Sequence, residues 1–433
     1  MKVLKFGGTS VGSDERIRQV VEIFSTQEGQ KMVVLSAMSG TTNTLVEICE
    51  YLDKYNLDAA QVTFSKLREH YLNTCEKLCP GNEDIKQELA QIFNSYKDIL
   101  RNKLNLKAEK KILSLGEMVT TIMVNQYCQD KKLNVKWLNA LEFMTLTEEG
   151  EPDHVKITEK LSEILDSNKA DIYLTQGFIC TNPKGEVDNL KRGGSDYSAS
   201  IIGAAIDASE IQIWTDIDGM HNNDPRFVPN TKPVEKISYD EAAELAYFGA
   251  KILHPSSVLP ARLKSIPVYL KNTMNPAAKG TLISEETEPN RVKALAAKDG
   301  ITSINIRSGR MLMAYGFLRS VFEVFERYQT AIDLITTSEV AISVTIDDKT
   351  HLQEILKDLR AYGVVSVEEE QSIVCIVGDN IGSRQGLAVD IFKALSPINI
   401  RMISFGGSQH NVSLLVGKED KAKCLNLLNE VLF

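Results

Sequence analysis

Apolar residues in this chain follow two rhythms. Val3 to Phe6 and Met32 to Leu35 are short unbroken runs, the pattern of strands buried on both faces. Between them Ile17, Val20, Val21 and Phe24 recur at helical spacing behind Ser13, a natural N-cap followed by Asp14 and Glu15. Gly7 to Gly12 lies between strand and helix as a turn, so the chain opens β-loop-α-β. Further strands are predicted at Val135 to Leu138, Ile172 to Thr175, Ile211 to Trp214 and Pro267 to Leu270, with helices at Ser195 to Ile206 and Tyr239 to Gly249. This alternation predicts an α/β fold with a mainly parallel sheet and helices on both faces. From about Asp53 to Lys111, Lys, Glu, Gln and Asn surround recurring Leu, Ile and Tyr, which reads as a helical lid or outer layer with a solvated charged face.

The rhythm changes at Glu285 to Arg291, a polar linker. Beyond it Gly316-Phe317-Leu318, then Val321, Phe322 and Phe325, lead to Ile332 to Ile335 and a strand at Val340 to Ile346. A second copy runs from Gly386-Leu387 through Ile391, Phe392 and Leu395 to Ile400 to Ile403 and a strand at Val412 to Val416. Each reads as a small ββαβ-type unit, and duplication implies that the two pack together; chance likeness of two amphipathic units is the alternative.

With 433 residues, the chain exceeds one typical domain. Its 49 Lys+Arg against 58 Asp+Glu give a formal charge of -9, so no global field draws it to nucleic acid or anionic lipid, and an anionic ligand must be met by local charges. No segment approaches the roughly 20 apolar residues of a membrane span, and Met1 to Ser10, broken by Gly7 and Gly8, lacks a signal peptide's apolar core. A cytoplasmic protein is expected. The seven cysteines contain no CxxC pair, which suits free buried thiols in a reducing compartment. Cys75 and Cys79 share a helix face with only His70 nearby, and there is no HExxH, so no protein-built metal centre is expected.

Chemistry concentrates at the ends of predicted elements. Lys5-Phe6-Gly7-Gly8-Thr9-Ser10 follows the first strand, where glycines let backbone amides approach an oxyanion and the lysine adds charge; an ordinary Gly-Gly turn is the plainer reading. It is neither a Walker A loop nor a GxGxxG fingerprint. Arg192-Gly193-Gly194-Ser195-Asp196 opens a helix, a place for an anion with Arg192 as a bidentate clamp, or simply a helix capped by Ser195 or Asp196. Ser36 to Asn43 follows the second buried strand, at the carboxyl edge where open α/β sheets bind ligands. Glu117 is an acid inside an apolar pattern and needs a partner, either a ligand ammonium or a structural lysine. Trp214 to Gly219, Asn223-Asp224-Pro225-Arg226 and Phe248 to Pro255 add Asp, Arg and Lys at element ends, where nucleotide phosphates would need them.

Taken in order, Lys-Phe-Gly-Gly-Thr-Ser-Val at 5–11, Leu-Ser-Ala with Gly-x-Thr-Asn at 35–43, Gly-Glu at 116–117, Gln-Gly-Phe at 176–178, Arg-Gly-Gly-Ser-Asp-Tyr at 192–197, Trp-Thr-Asp at 214–216, Asp-Pro-Arg at 224–226 and Phe-Gly-Ala-Lys-Ile-Leu-His-Pro at 248–255 resemble aspartokinase along the whole chain. The resemblance implies an amino-acid-kinase three-layer sandwich over 1–290. It also implies a regulatory region at 291–433 with two ferredoxin-like ACT units, about 304–370 and 371–433, whose interleaving is left open. It implies transfer of the ATP γ-phosphoryl group to the side-chain carboxylate of L-aspartate. That nucleophile is already ionised at neutral pH and needs no general base.

By the same resemblance, Lys5 stabilises the transferring group and Asp196 orients it; Gly7, Gly8, Ser10, Thr215, Asp216, His221, Arg226, Lys251 and Ile252 hold ATP, with Mg2+ carried by the nucleotide. Arg192 and Glu117 take the α-carboxylate and ammonium of aspartate, with Ser36, Thr42, Phe178 and Ser195 shaping the pocket. Asp-Leu-Ile-Thr-Thr-Ser-Glu at 333–339 resembles the monofunctional, lysine-regulated branch, which implies a lysine site from Met311, Gly316, Phe317, Leu318, Asp333, Ser338 and Glu339 at a homodimer interface between ACT units. Two departures stand out. His221 replaces a usual Tyr of the adenine pocket, and Ala314 replaces a Ser near the effector, which keeps threonine or no effector open. A kinase of another small amino acid and an inactive amino-acid sensor are the rival functions.

Overall fold

The computed structural model describes residues 1–167, 169–190, 193–249, 254–286, 288–309 and 315–433. Arg192, Lys251, Ile252, Met311 and Ala314 lie outside them. The chain divides into two compact units, Met1–Met220 with Leu253–Glu285, and His221–Ile252 with Glu286–Phe433. The sequence reading kept everything to residue 290 in the first domain, whereas packing groups 221–252 with the C-terminal residues. The physical reason lies in the second unit's core: Val228 is buried in it with Val374 and Leu428, and Asn223 Nδ2 donates to Leu425 O at 3.2 Å.

In chain order the first unit contains β1 (Lys2–Phe6), α1 (Asp14–Thr26), β2 (Lys31–Leu35), α2 (Thr41–Asp53), α3 (Leu57–Leu78), α4 (Glu83–Asn94), α5 (Leu106–Asp130), β3 (Val135–Trp137), α6 (Ala140–Phe143) and α7 (His154–Ser167). It continues through β4 (Ile172–Gln176), β5 (Ile179–Thr181), β6 (Val187–Asn189), α8 (Gly194–Ala205) and β7 (Glu210–Thr215). The second unit interposes β8 (Lys236–Ser238) and α9 (Tyr239–Tyr247), after which α10 (Leu259–Leu263), β9 (Val268–Asn272) and β10 (Thr281–Ser284) complete the first. The first unit's main sheet runs β3-β4-β2-β1-β7-β9-β10. All of its pairings are parallel except the last, β9 with β10. Met32–Leu35 of β2 are buried, as their unbroken apolar run requires, and Lys31 is buried with them.

Register decides where the site lies. Phe6 pairs with Leu35 and with Trp214, and Leu35 with Gln176, so the carboxyl ends of β1, β2, β4 and β7 come level and their loops emerge along one edge. Ser13 caps α1 by accepting from Arg16 N. The helical stretch read as an outer layer contributes more than that. Phe64, Leu67 and Tyr71 of α3 and Phe93 of α4 join Ile112 and Val119 of α5 in the first unit's hydrophobic core. All seven cysteines are free and buried.

The second unit carries a six-stranded antiparallel sheet formed by β11 (Arg291–Arg307), β12 (Ile335–Thr337), β13 (Ala341–Ile346), β14 (Val364–Asp379), β15 (Ile400–Phe405) and β16 (Asn411–Gly417), in the order β12-β13-β11-β14-β16-β15. Helices α11 (Phe317–Arg327), α12 (Leu352–Leu359), α13 (Leu387–Ala394) and α14 (Lys421–Leu432) accompany it. The copies are interleaved through the two long strands. The later part of β11, from Ile304, shares a core with α11, β13 and α12, while Val292 and Leu295 at its start pack with β14, β16, α13 and α14. Each copy therefore has two helices, one more than the ββαβ reading allowed. The missed α12 buries Leu352, Ile355, Leu356 and Leu359, an ordinary helical stripe. Among the described residues no helix is long and apolar enough to cross a membrane.

Candidate active site

Lys5, near the end of β1, is 8% exposed, and its Nζ lies 2.7 Å from Asp196 Oδ1 in the first turn of α8. The sequence left Ser195 and Asp196 open as helix caps. The N-cap is instead Gly193, at φ 65° with no side-chain cap. Ser195 Oγ accepts from Ser36 Oγ at 2.9 Å, so Ser195 is turned to the loop after β2 and Asp196 to Lys5 of β1. Glycine permits this docking: a Cβ at Gly193 would stand 1.7 Å from Ser257 Oγ, and one at Gly177 would stand 2.3 Å from Ser195 Cβ.

The loop after β1 differs in detail from its expected form. Gly7 N–H donates to Trp214 O at 3.2 Å, so that amide belongs to the sheet and is not offered to a phosphate. The Gly8 and Thr9 amides have no backbone acceptor among the described residues and take over as the available donors. Gly8 packs so tightly that a Cβ would lie 2.9 Å from Ala37 O. Ser10, read as a nucleotide contact, is fully buried, with its Oγ 2.7 Å from Thr273 Oγ1; it ties the loop down.

Along this edge opens a cleft of ≈ 480 Å³ lined by Gly8, Thr9, Ser36 to Gly40, Thr42, Asn43, Glu117, Phe178, Gly194 and Ser195. It gathers Gly8, Ser36, Thr42, Glu117, Phe178 and Ser195 from the sequence reading. Thr9, Ser39 and Gly194 come from the segments 5–10, 36–43 and 192–196 that the sequence also singled out. Glu117 is 4% exposed and accepts from Ala37 N at 3.4 Å. No basic side chain pairs with it among the described residues, so burial alone dominates and pushes the carboxyl up to about 7. That disposes of a structural lysine among those residues. Phe178 sits at φ 66°, uncommon for a side-chain-bearing residue, with its N–H donated to Ser198 Oγ at 2.8 Å. Ser198 was not foreseen, although it follows Ser195 by about one helical turn.

Other expected contacts are not among the residues lining this cleft. Thr215 ends β7 and accepts from Ile217 N at 3.2 Å, with Asp216 exposed beside it. In the second unit, His221 Nδ1 is 2.8 Å from Thr231 Oγ1. Arg226 is exposed and doubly bonded to Asp224, with its Nη2 2.6 Å from Oδ2.

The expected effector residues that the structure describes lie at the start of α11 and on either side of β12. The side chain of Asp333 is 2% exposed, and its Oδ1 meets Lys298 Nζ at 2.8 Å and Tyr247 OH at 3.1 Å. Burial raises its pKa against the pull of Lys298. Lys298 also meets Asp347 at 2.8 Å and lies 4.8 Å from the centre of the Tyr247 ring. Gly316 is the left-handed N-cap of α11, Phe317 stacks edge-on against Tyr362, and Leu318 is exposed. Ser338 closes the turn between β12 and β13 through its N–H to Ala341 O at 2.8 Å, and Glu339 is exposed in that turn.

Comparison with known proteins matches residues 1–272 to the amino acid kinase family and 374–432 to an ACT domain. Lysine-sensitive aspartokinase 3 of Escherichia coli K12 is 34% identical over 452 residues, spanning 100% of this chain and 99% of that enzyme. The structure resembles that of E. coli aspartokinase III in complex with aspartate and ADP in the R-state, with TM-score 0.85 and 32% identity over all of both chains. It also resembles the enzyme in complex with lysine and aspartate in the T-state, with TM-score 0.84 and 33% identity over the same full coverage. A parallel kinase sheet whose edge cleft is lined by Gly8, Thr9 and the buried Glu117, together with paired ACT units and end-to-end matches, establishes that the chain belongs to the aspartokinases of the amino acid kinase family.

Proposed function

We propose that this enzyme transfers the γ-phosphoryl group of ATP to the side-chain carboxylate of L-aspartate, giving 4-phospho-L-aspartate and ADP. The observation that carries the reading is Glu117, a buried carboxylate without a basic partner among the described residues, in a cleft that also contains the Gly8-Thr9 amides. Such a cleft asks for a molecule that is cationic at one end and anionic at the other.

The aspartate ammonium replaces the missing partner of Glu117, and Arg192 is assigned the α-carboxylate. The side-chain carboxylate then approaches the phosphoryl group beside Lys5. Because the nucleophile is an anion meeting a polyanion, catalysis consists of positioning and charge neutralisation. Lys5, held by Asp196, supplies positive charge to the transferring oxygens, and the Gly8 and Thr9 amides donate to them. Thr215, Asp216, His221, Arg226, Lys251 and Ile252 are assigned to ATP. Mg2+ is assigned to the phosphate oxygens of ATP and to water. When bound, Mg2+ neutralises phosphate charge.

We assign residues 1–290 to catalysis and 291–433 to regulation, with lysine as inhibitor, a homodimer formed through the ACT units, and a cytoplasmic location. ADP release measured with ATP, Mg2+ and a panel of aspartate, glutamate, N-acetylglutamate and carbamate tests the substrate. Release that depends on aspartate is expected; equal release without it, or release with another acid in its place, defeats the reading, and no release with any of them leaves the sensor alternative standing.

A further inference from the structure

Behind the cleft, the side chain of Tyr71 reaches from α3 into the core and is 1% exposed. Its ring is held by hydrophobic packing, 5.8 Å from the ring of Phe93 on α4. Packing would be equally served by phenylalanine, yet a hydroxyl is present in a dry interior, where it costs free energy unless bonded. Here it has partners on both α2 and α5. It lies 3.0 Å from Thr41 Oγ1 at the start of α2, 3.2 Å from Thr120 Oγ1 and 3.4 Å from Gly116 O, the last two on α5.

The same network continues to the site. Thr120 Oγ1 donates to Gly116 O at 2.7 Å and accepts from Met38 N at 3.3 Å, while Ala37 N donates to Glu117. The loop after β2 is pressed against α5 so closely that a Cβ at Gly116 would stand 2.7 Å from both Ala37 Cβ and Thr41 Cγ2. Glu117 projects from the next position of α5, Ser36 and Ser39 come from the loop, and Thr42 comes from the first turn of α2. Their separation is therefore set by the seam that Tyr71 closes.

We propose that Tyr71 is a positioning residue for aspartate: its hydroxyl fastens the loop after β2 to α5 and so fixes the spacing between Glu117 and the hydroxyls that face it. Burial pushes the phenol up to about 12, so it serves as a neutral hydrogen-bonding group and not as a charge. This rests on the reading that aspartate occupies the cleft.

The test compares Tyr71→Phe, Phe93→Leu and Glu117→Gln in the full chain by steady-state kinetics and thermal unfolding. Tyr71→Phe keeps the ring and removes only the fastening; we expect the KM for aspartate to rise about fivefold or more, with kcat and the KM for ATP within about twofold. Phe93→Leu loosens the same packing without touching the hydroxyl, and it should lower the melting temperature while leaving the KM for aspartate near wild type. An unchanged KM in Tyr71→Phe alongside a raised one in Glu117→Gln overturns the role of Tyr71 alone. An unchanged KM in both overturns the aspartate cleft as well. If Phe93→Leu raises the KM as much as Tyr71→Phe at equal loss of melting temperature, the hydroxyl is merely structural and the proposal fails.

Discussion

Aspartate binding should be coupled to ionisation of Glu117. Its carboxyl is displaced from 4.5 to about 7 by burial, and at about 1.4 kcal/mol per pH unit this displacement corresponds to about 3 kcal/mol against the charged form. Because the folded value lies above the unfolded one, the folded state holds the extra proton. The ligand-free enzyme therefore loses stability as pH rises from about 4.5 through about 7, and Glu117→Gln does not. A substrate ammonium reverses the preference by favouring the carboxylate. Between pH 6 and pH 8 the ionised fraction climbs about tenfold, so aspartate should bind about tenfold more tightly at the higher pH and release close to one proton at the lower. Calorimetry in two buffers of different ionisation enthalpy measures both. Glu117→Gln should bind weakly, with no proton release and a flat pH dependence. Equal affinity at both pH values in the wild type, or an unaltered slope in Glu117→Gln, would refute the assignment.

Three further outcomes are expected. Lys5→Ala should lower turnover by about two orders of magnitude or more, the scale of an electrostatic donor in phosphoryl transfer, with aspartate affinity largely retained in binding assays. Gly177→Ala places a Cβ on Ser195; it should cost about 1–3 kcal/mol in denaturant unfolding and raise the KM for aspartate, since Ser195 cannot keep its place against Ser36. Lysine at millimolar concentration should inhibit, and Glu339→Ala should relieve that inhibition with uninhibited turnover near wild type. Activity titrated separately with lysine, threonine and methionine decides it, and indifference to lysine removes that effector.

What could be read from the sequence was local. Lys5 with its glycines and Glu117 inside an apolar helix stand out because each departs from its immediate surroundings, and the carboxyl edge of a parallel sheet brings such departures together. Other features depended on partners far along the chain. Ser10 looks like part of a phosphate loop until Thr273, 263 residues away, takes its hydroxyl. The Gly7 amide looks available until Trp214 O accepts from it. Asp333 looks like a free acid because Lys298 and Tyr247 are brought to it by folding. Nothing near Tyr71 marks its hydroxyl, since helical spacing explains the ring and leaves the oxygen without a signal. The interleaving of the ACT copies stayed open for another reason: the repeat was traced from the glycines before α11 and α13, after the strand shared by both copies had begun.

The central claim is that the enzyme joins a phosphoryl group to the aspartate side chain. An acyl phosphate is trapped by hydroxylamine as a hydroxamate, so the most direct measurement follows ADP and hydroxamate together in ATP, Mg2+, hydroxylamine and aspartate. Hydroxamate equal to ADP, with glutamate giving neither, is the predicted result; ADP without hydroxamate, or equal hydroxamate from glutamate, would contradict it.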